Sequence, residues 1–219
     1  MHREAFRITL AAIAIGVLIM LVSMVRTSRG QSSLLGPLDA KDPIPYFIAD
    51  GKVSTGYHAS DRELAQWALQ AWQRNVSGNL RFVAAPESTA LIRVYWAEPT
   101  DGEYGETWPV TIGGKRGASV FIRPDMEALG PDISQRAGTD VLLRDSIVYL
   151  TCLHELGHAL GLEHTRDFRD IMYFFGYGGD VVEYFNRYRS QVQSRSDIAN
   201  VSGLSDGDVK HIRALYSQK

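Results

Sequence analysis

One stretch of the chain combines residues that could bind a metal and activate water. It reads His154-Glu155-Leu156-Gly157-His158, followed by Gly161 and His164. Histidines at i and i+4 share a helix face, so His154 and His158 can hold one Zn²⁺ at about 2.0–2.1 Å. Gly161 lets the chain leave the helix and swing His164 round as a third ligand. Three ligands leave one tetrahedral position open. Water held there has its pKa lowered to about 7, which marks a catalytic rather than a structural zinc. Glu155 stands beside a ligand without being one, so it can take that water's proton as general base and pass it to a leaving amine. The pattern therefore points to peptide-bond hydrolysis with one catalytic Zn²⁺. The alternative is a tethered binding protein on the same fold with a structural or inactive zinc site. Glu155 separates the two, because a structural three-histidine site gains nothing from an adjacent carboxylate.

The elements that must position these groups follow from apolar periodicity. Ile147, Leu150, Leu153, Leu156 and Leu160, with Val148 and Ala159 filling in, predict a helix over 141–160 buried nearly all round. Ile44 to Ile48 reads as a first strand. Ser60-Asp61-Arg62-Glu63 has capping-box spacing ahead of one apolar face made by Leu64, Trp67, Ala68, Ala71 and Trp72. Leu80–Ala84, Ala90–Trp96 and Ala118–Ile122 read as strands, the last following the turn Gly113-Gly114-Lys115-Arg116-Gly117. Val181, Phe185, Tyr188 and Val192 mark a more polar helix. A final helix starts at Ser205-Asp206-Gly207-Asp208 and buries Val209, Ile212, Leu215 and Tyr216. Strands mixed with helices predict an α+β class, a sheet covered by helices.

Composition bounds the rest. The 219 residues are 45% apolar, 10% aromatic and 22% charged, which suits one globular domain and excludes a disordered or collagen-like chain. With 23 basic and 25 acidic side chains, a net charge of -2 provides no electrostatic footprint for nucleic acid. The single cysteine, Cys152, excludes an intrachain disulfide and reads as a small buried hydrophobe. His58 and His211 read as surface residues, and Arg187, Arg189 and Arg195 as solvated helix surface. Oligomeric state is not readable.

Ile8 to Val25 carries no charge and is bracketed by Arg3 and Arg7 before and by Arg26 and Arg29 after. As a helix at about 1.5 Å per residue it nearly crosses a hydrocarbon core of about 30 Å, and Ser23-Met24-Val25-Arg26 is a poor cleavage site. An uncleaved membrane helix is favoured over a secretory signal, although equal arginine flanks leave orientation open. Residues 1–29 are thus an anchor or signal segment and 30–42 a linker rich in Ser, Gly and Pro. Residues 43–219 are the catalytic domain, expected membrane-anchored and outside the cytoplasm, or secreted if the signal is cleaved.

From His154 to Tyr173 the sequence resembles the metzincins. His164-Thr165-Arg166-Asp167 with Ile171-Met172-Tyr173 resembles their matrixin branch, the family of the matrix metalloproteinases. Leu204 to Tyr216 is similar to the family's C-terminal helix, and Leu64 to Val83 to its first helix and second strand. The resemblance implies a twisted mixed sheet of about five strands, a long active-site helix and a C-terminal helix. It makes His154, His158 and His164 the zinc ligands, Glu155 the base, and Met172 a hydrophobic floor that does not bind metal. It also implies an extended peptide or protein substrate pairing with an edge strand near Gly105-Glu106-Thr107-Trp108. Three departures stand out. Only His2 and His58 precede the motif, so the family's second, structural zinc has no visible ligands. The cysteine switch is absent. Phe174 replaces the usual proline, ahead of Phe175-Gly176-Tyr177-Gly178-Gly179, where the family walls its specificity pocket. An aromatic, uncharged wall over 173–179 predicts preference for a large apolar residue just after the cleaved bond.

Overall fold

The computed structural model describes residues 36–76, 80–98 and 104–216. The expected membrane helix at 8–25 lies outside them. Among the described residues no helix is long and apolar enough to cross a membrane.

Among the described residues, five strands form one sheet: β1 (Ile44–Ile48), β2 (Phe82–Ala84), β3 (Ile92–Trp96), β4 (Gly105–Ile112) and β5 (Lys115–Ile122), in the order β2-β1-β3-β5-β4. All pairings are parallel except β4 against β5. Those two form a hairpin turned at Gly113 and Gly114. Both have positive φ, 57° and 77°, as a tight primed turn requires. All four strands expected from hydrophobic runs are present: β1 has the bounds read from the sequence, β2 and β3 are shorter than their runs, and β5 is longer. β4 was not visible as a hydrophobic pattern, because exposed Trp108, Pro109 and Thr111 break it. Pro109 is tolerated there because β4 lies at the sheet edge, where one row of backbone groups has no strand partner.

Among the described residues, five α-helices accompany the sheet: α1 (Asp61–Asn75), α2 (Pro131–Thr139), α3 (Val141–Ala159), α4 (Val181–Arg189) and α5 (Asp206–Tyr216). α3 is the central one. Asp140 caps it by accepting the Leu143 N–H at 3.0 Å. From Leu143 to Ala159 every residue but His154 is buried, as the all-round apolar pattern requires. α1 packs on α3, and the Trp72 indole donates to the Leu153 carbonyl at 3.0 Å. α2 escaped the sequence reading because it is short and buries only Ile133 and Ala137.

Two local expectations fail. Ser60 sits in the α region with no side-chain cap. Instead Asp61 accepts the His58 N–H at 2.8 Å and forms a buried ion pair with Arg144. The tertiary pair takes the carboxylate that local capping left out of account. The arginines read as solvated surface are also engaged. Arg189 pairs with Asp140, Arg195 bridges Asp145 and Glu63 over the Trp67 ring, and Arg187 donates to the Phe168 carbonyl. Cys152 is buried, and His58 and His211 are exposed, as expected.

Candidate metal centre

His154 and His158 project from α3 one turn apart, with ring centroids 4.8 Å apart. The helix ends at Ala159, and Gly161 then takes φ 98°, which L side chains rarely adopt. Space excludes a side chain as well, since a Cβ there would lie 2.8 Å from the Gly36 carbonyl carbon. The reversal carries His164 back so that its Nε2 lies 3.1 Å from His158 Nε2. One ligand atom from each of the three histidines lies within 4.8 Å of the others.

The opposite ring nitrogens are held by backbone. His154 Nδ1 meets the Ile171 carbonyl at 2.6 Å, and His158 Nδ1 meets that of Leu162 at 2.9 Å. A carbonyl can only accept, so both rings carry their proton on Nδ1 and turn a bare Nε2 toward the common centre. Burial lowers the pKa of all three imidazoles. Proximity to the other rings lowers His158 and His164 further, His164 to about 3. Neutral rings are the form that ligates metal. Tetrahedral coordination at about 2.0–2.1 Å puts ligand nitrogens roughly 3.3 Å apart, close to the separation of His158 and His164. The donor set therefore fits zinc.

Glu155, one residue on, is buried and on a different face. The Thr107 hydroxyl of β4 lies 2.7 Å from its Oε2. Met172, 1% exposed, has its sulfur against Gly157 in α3. The loop bearing it is stitched on three sides. Thr165 N–H donates to the Met172 carbonyl at 2.8 Å, tying the loop to the residue after His164. The Asp208 carboxylate accepts from Ile171 N–H at 2.8 Å and Met172 N–H at 3.3 Å. The Tyr184 hydroxyl donates to the Asp170 and Ile171 carbonyls. Asp208 also closes a reciprocal cap with Ser205, which bears out the capping box expected at the start of α5.

All the site residues expected from sequence thus come together. Thr107, Asp208 and Tyr184 were missed as contributors. Thr107 belongs to a strand without a hydrophobic signature, Asp208 was accounted for by its local cap, and Tyr184 sat in an ordinary amphipathic pattern. The aromatic stretch divides. Tyr173 is buried, with its hydroxyl on the Gly178 carbonyl, whereas Phe174 and Tyr177 are exposed. Phe174 stacks on the His164 ring at 4.7 Å and meets Tyr177 edge-on at 5.4 Å.

A family model, that of the matrixins among the M10 peptidases, matches residues 40–217. The chain belongs to the matrixin family, a family of zinc metallopeptidases. Human matrix metalloproteinase-20 is 28% identical to this matrixin over 156 residues, which are 70% of this chain and 27% of that protein. The chain thus spans about a quarter of that relative's length. Among solved structures, high choriolytic enzyme 1, a hatching enzyme zinc-protease from the medaka fish Oryzias latipes, is 15% identical with a TM-score of 0.45. That match covers 87% of this chain and 98% of the other. Myroilysin is 14% identical with a TM-score of 0.42, over 84% and 96% of the two chains.

Proposed function

We propose that this matrixin is a zinc-dependent endopeptidase that cleaves peptides bound in extended form. One observation carries the reading: ring nitrogens of His154, His158 and His164 converge, and the next residue after His154 is a buried carboxylate outside that cluster. His154, His158 and His164 would hold the metal. When bound, zinc supplies a Lewis acid that acidifies water and polarises a peptide carbonyl. Glu155 takes the proton of the attacking water and delivers it to the leaving amine, work worth about 10²–10⁴-fold. The outer edge of β4 offers unpaired backbone groups to which an extended substrate adds as a further strand. Exposed Phe174 and Tyr177, beyond His164, form an apolar wall for the side chain after the cleaved bond. The stretch 8–25 serves as a membrane anchor on the strength of its uncharged length and arginine flanks. N-terminal sequencing of the membrane-fraction protein tests that part, and a mature start after Val25 would make the enzyme secreted.

The central test is Glu155→Gln in the full chain. Elemental analysis should find about one zinc in both proteins, while peptide turnover falls by about 10²-fold or more in the variant. Unchanged turnover in the zinc-loaded variant would overturn the assignment of Glu155 as base, and a zinc-loaded wild type without turnover would leave the binding-protein reading standing.

A further inference from the structure

The strand that would receive substrate also touches the base. Successive side chains of a strand point to opposite faces, so Gly105, Thr107 and Pro109 share the face of β4 turned toward α3. Both inner residues meet the same carboxyl group. Thr107 Oγ1 lies 2.7 Å from Glu155 Oε2 and 3.0 Å from the Glu155 backbone carbonyl. At Gly105 a Cβ would lie 2.7 Å from Glu155 Oε1 and equally close to Cγ. One oxygen is therefore held by a hydroxyl, and the other lies where the strand leaves only the room of a missing side chain.

We infer that Thr107 is a positioning residue for the Glu155 carboxylate, with Gly105 providing the clearance, so that the substrate-binding edge strand also aims the base. The inference rests on the reading of Glu155 as general base. A hydroxyl has one proton to donate, and a carboxylate oxygen is a stronger acceptor than a carbonyl. Thr107 and Glu155 are 6% and 5% exposed, so water competes little for that proton. The β-branched side chain of Thr has few rotamers, which makes it a stiff mount. Register pins the mount in turn, since Thr107 pairs with Val120 of the neighbouring strand β5. A glutamate free at its outer torsions would spend part of its time away from the attacking water, and displacement of about 1 Å can cost up to about 10²-fold. Addition of a peptide strand to the outer edge of β4 immobilises the segment carrying Thr107, so substrate docking and base alignment are mechanically linked.

The experiment compares full-length, zinc-loaded wild type with Thr107→Val, Thr107→Ser and the double variant Thr107→Val/Glu155→Gln. Valine keeps the shape and removes the donor, whereas serine keeps the donor. Thr107→Val should retain about one zinc and its melting temperature, change KM by less than about twofold, and lose about tenfold in kcat. Thr107→Ser should recover most of that loss. The double variant should be no slower than Glu155→Gln alone, because a mount without its base has nothing to align. A second readout needs no turnover. In protein labelled with ¹³C at glutamate carboxyls, the Glu155 resonance, identified by its loss in Glu155→Gln, should shift in Thr107→Val and return in Thr107→Ser. An unmoved resonance overturns the inference, as does wild-type kcat in Thr107→Val. Equal losses in both variants that track a lowered melting temperature also overturn it, because they make the contact structural only. If the zinc-loaded wild type cleaves no peptide, the endopeptidase reading fails, and the resonance still decides whether Thr107 holds the carboxylate.

Discussion

Gly157 and Met172 are in contact through the space that a side chain on Gly157 would occupy: a Cβ there would run into the Met172 sulfur and come within 3.2 Å of Trp72. Gly157 thus lets the Met172 side chain lie against α3 at the turn that carries His154 and His158. Its φ is not unusual, so the glycine is there for room and not for backbone freedom.

Gly157→Ala should therefore destabilise the fold by about 1–3 kcal/mol, the usual cost of overpacking, despite alanine's better helix propensity. Because Met172 lies next to Ile171, whose carbonyl orients His154, zinc affinity should fall as well. Thermal unfolding of the metal-free protein and competition for zinc with a chelator check the two effects. A more stable variant with unchanged zinc affinity would contradict the close packing.

Asp208 is the next lever on the centre, acting from α5. Its carboxylate accepts from Ile171, Met172 and Ser205 N–H groups and is fully buried. Asp208→Ala leaves these donors without that acceptor, at about 1–3 kcal/mol for each buried group so orphaned. The expected outcome is a large fall in melting temperature and weaker zinc binding. Calorimetry with and without zinc would show both, and a variant that melts like wild type would mean that water replaces the carboxylate.

The histidine cluster ties stability to pH with a definite sign. Burial lowers the pKa of His154, His158 and His164 in the folded chain, His164 to about 3, while unfolded histidine titrates near about 6.5. Below about 6.5 the unfolded chain binds more protons than the folded one, so the histidine contribution to stability is full above that pH and is lost as pH falls toward the folded values. Protein treated with chelator should melt at progressively lower temperature between about pH 7 and about pH 5, and zinc-loaded protein should release metal over the same range. A flat melting temperature for the metal-free protein would show that the three rings are not held neutral.

Specificity should follow the two exposed aromatics. A peptide-library profile is expected to favour large apolar residues just after the cleaved bond, since burying one contributes about 1.5–3 kcal/mol. Phe174→Ala removes the ring stacked on His164 and should flatten that preference while zinc is retained. Selection for Lys, Arg, Asp or Glu at that position would refute the apolar wall.

Much of the centre was legible because it is encoded locally. His154 and His158 need only one helix, α3 announces itself by apolar residues on every side, and the left-handed Gly161 between helix and His164 has a residue type that signals a turn. The Ser205–Asp208 cap is local too, and it was read correctly. At Ser60 the same reasoning failed, since Asp61 is claimed by Arg144 from a distant part of the chain. β4 was invisible as a pattern because this edge strand is not buried along a whole face, and alternation fades where burial does.

The amino-acid sequence by itself therefore determined the histidine triad, the adjacent carboxylate, the helix that carries them and the family, all of which depend on residue types at short, fixed spacings. Only the tertiary structure decided how the carboxylate and the metal floor are held. Thr107 reaches Glu155 across the sheet-to-helix layer, Asp208 holds Ile171 and Met172 from the last helix, and Gly157 admits Met172. Each joins residues far apart in the chain through a few ångströms of packing, and strand register and helix placement set those distances, not the spacing of letters.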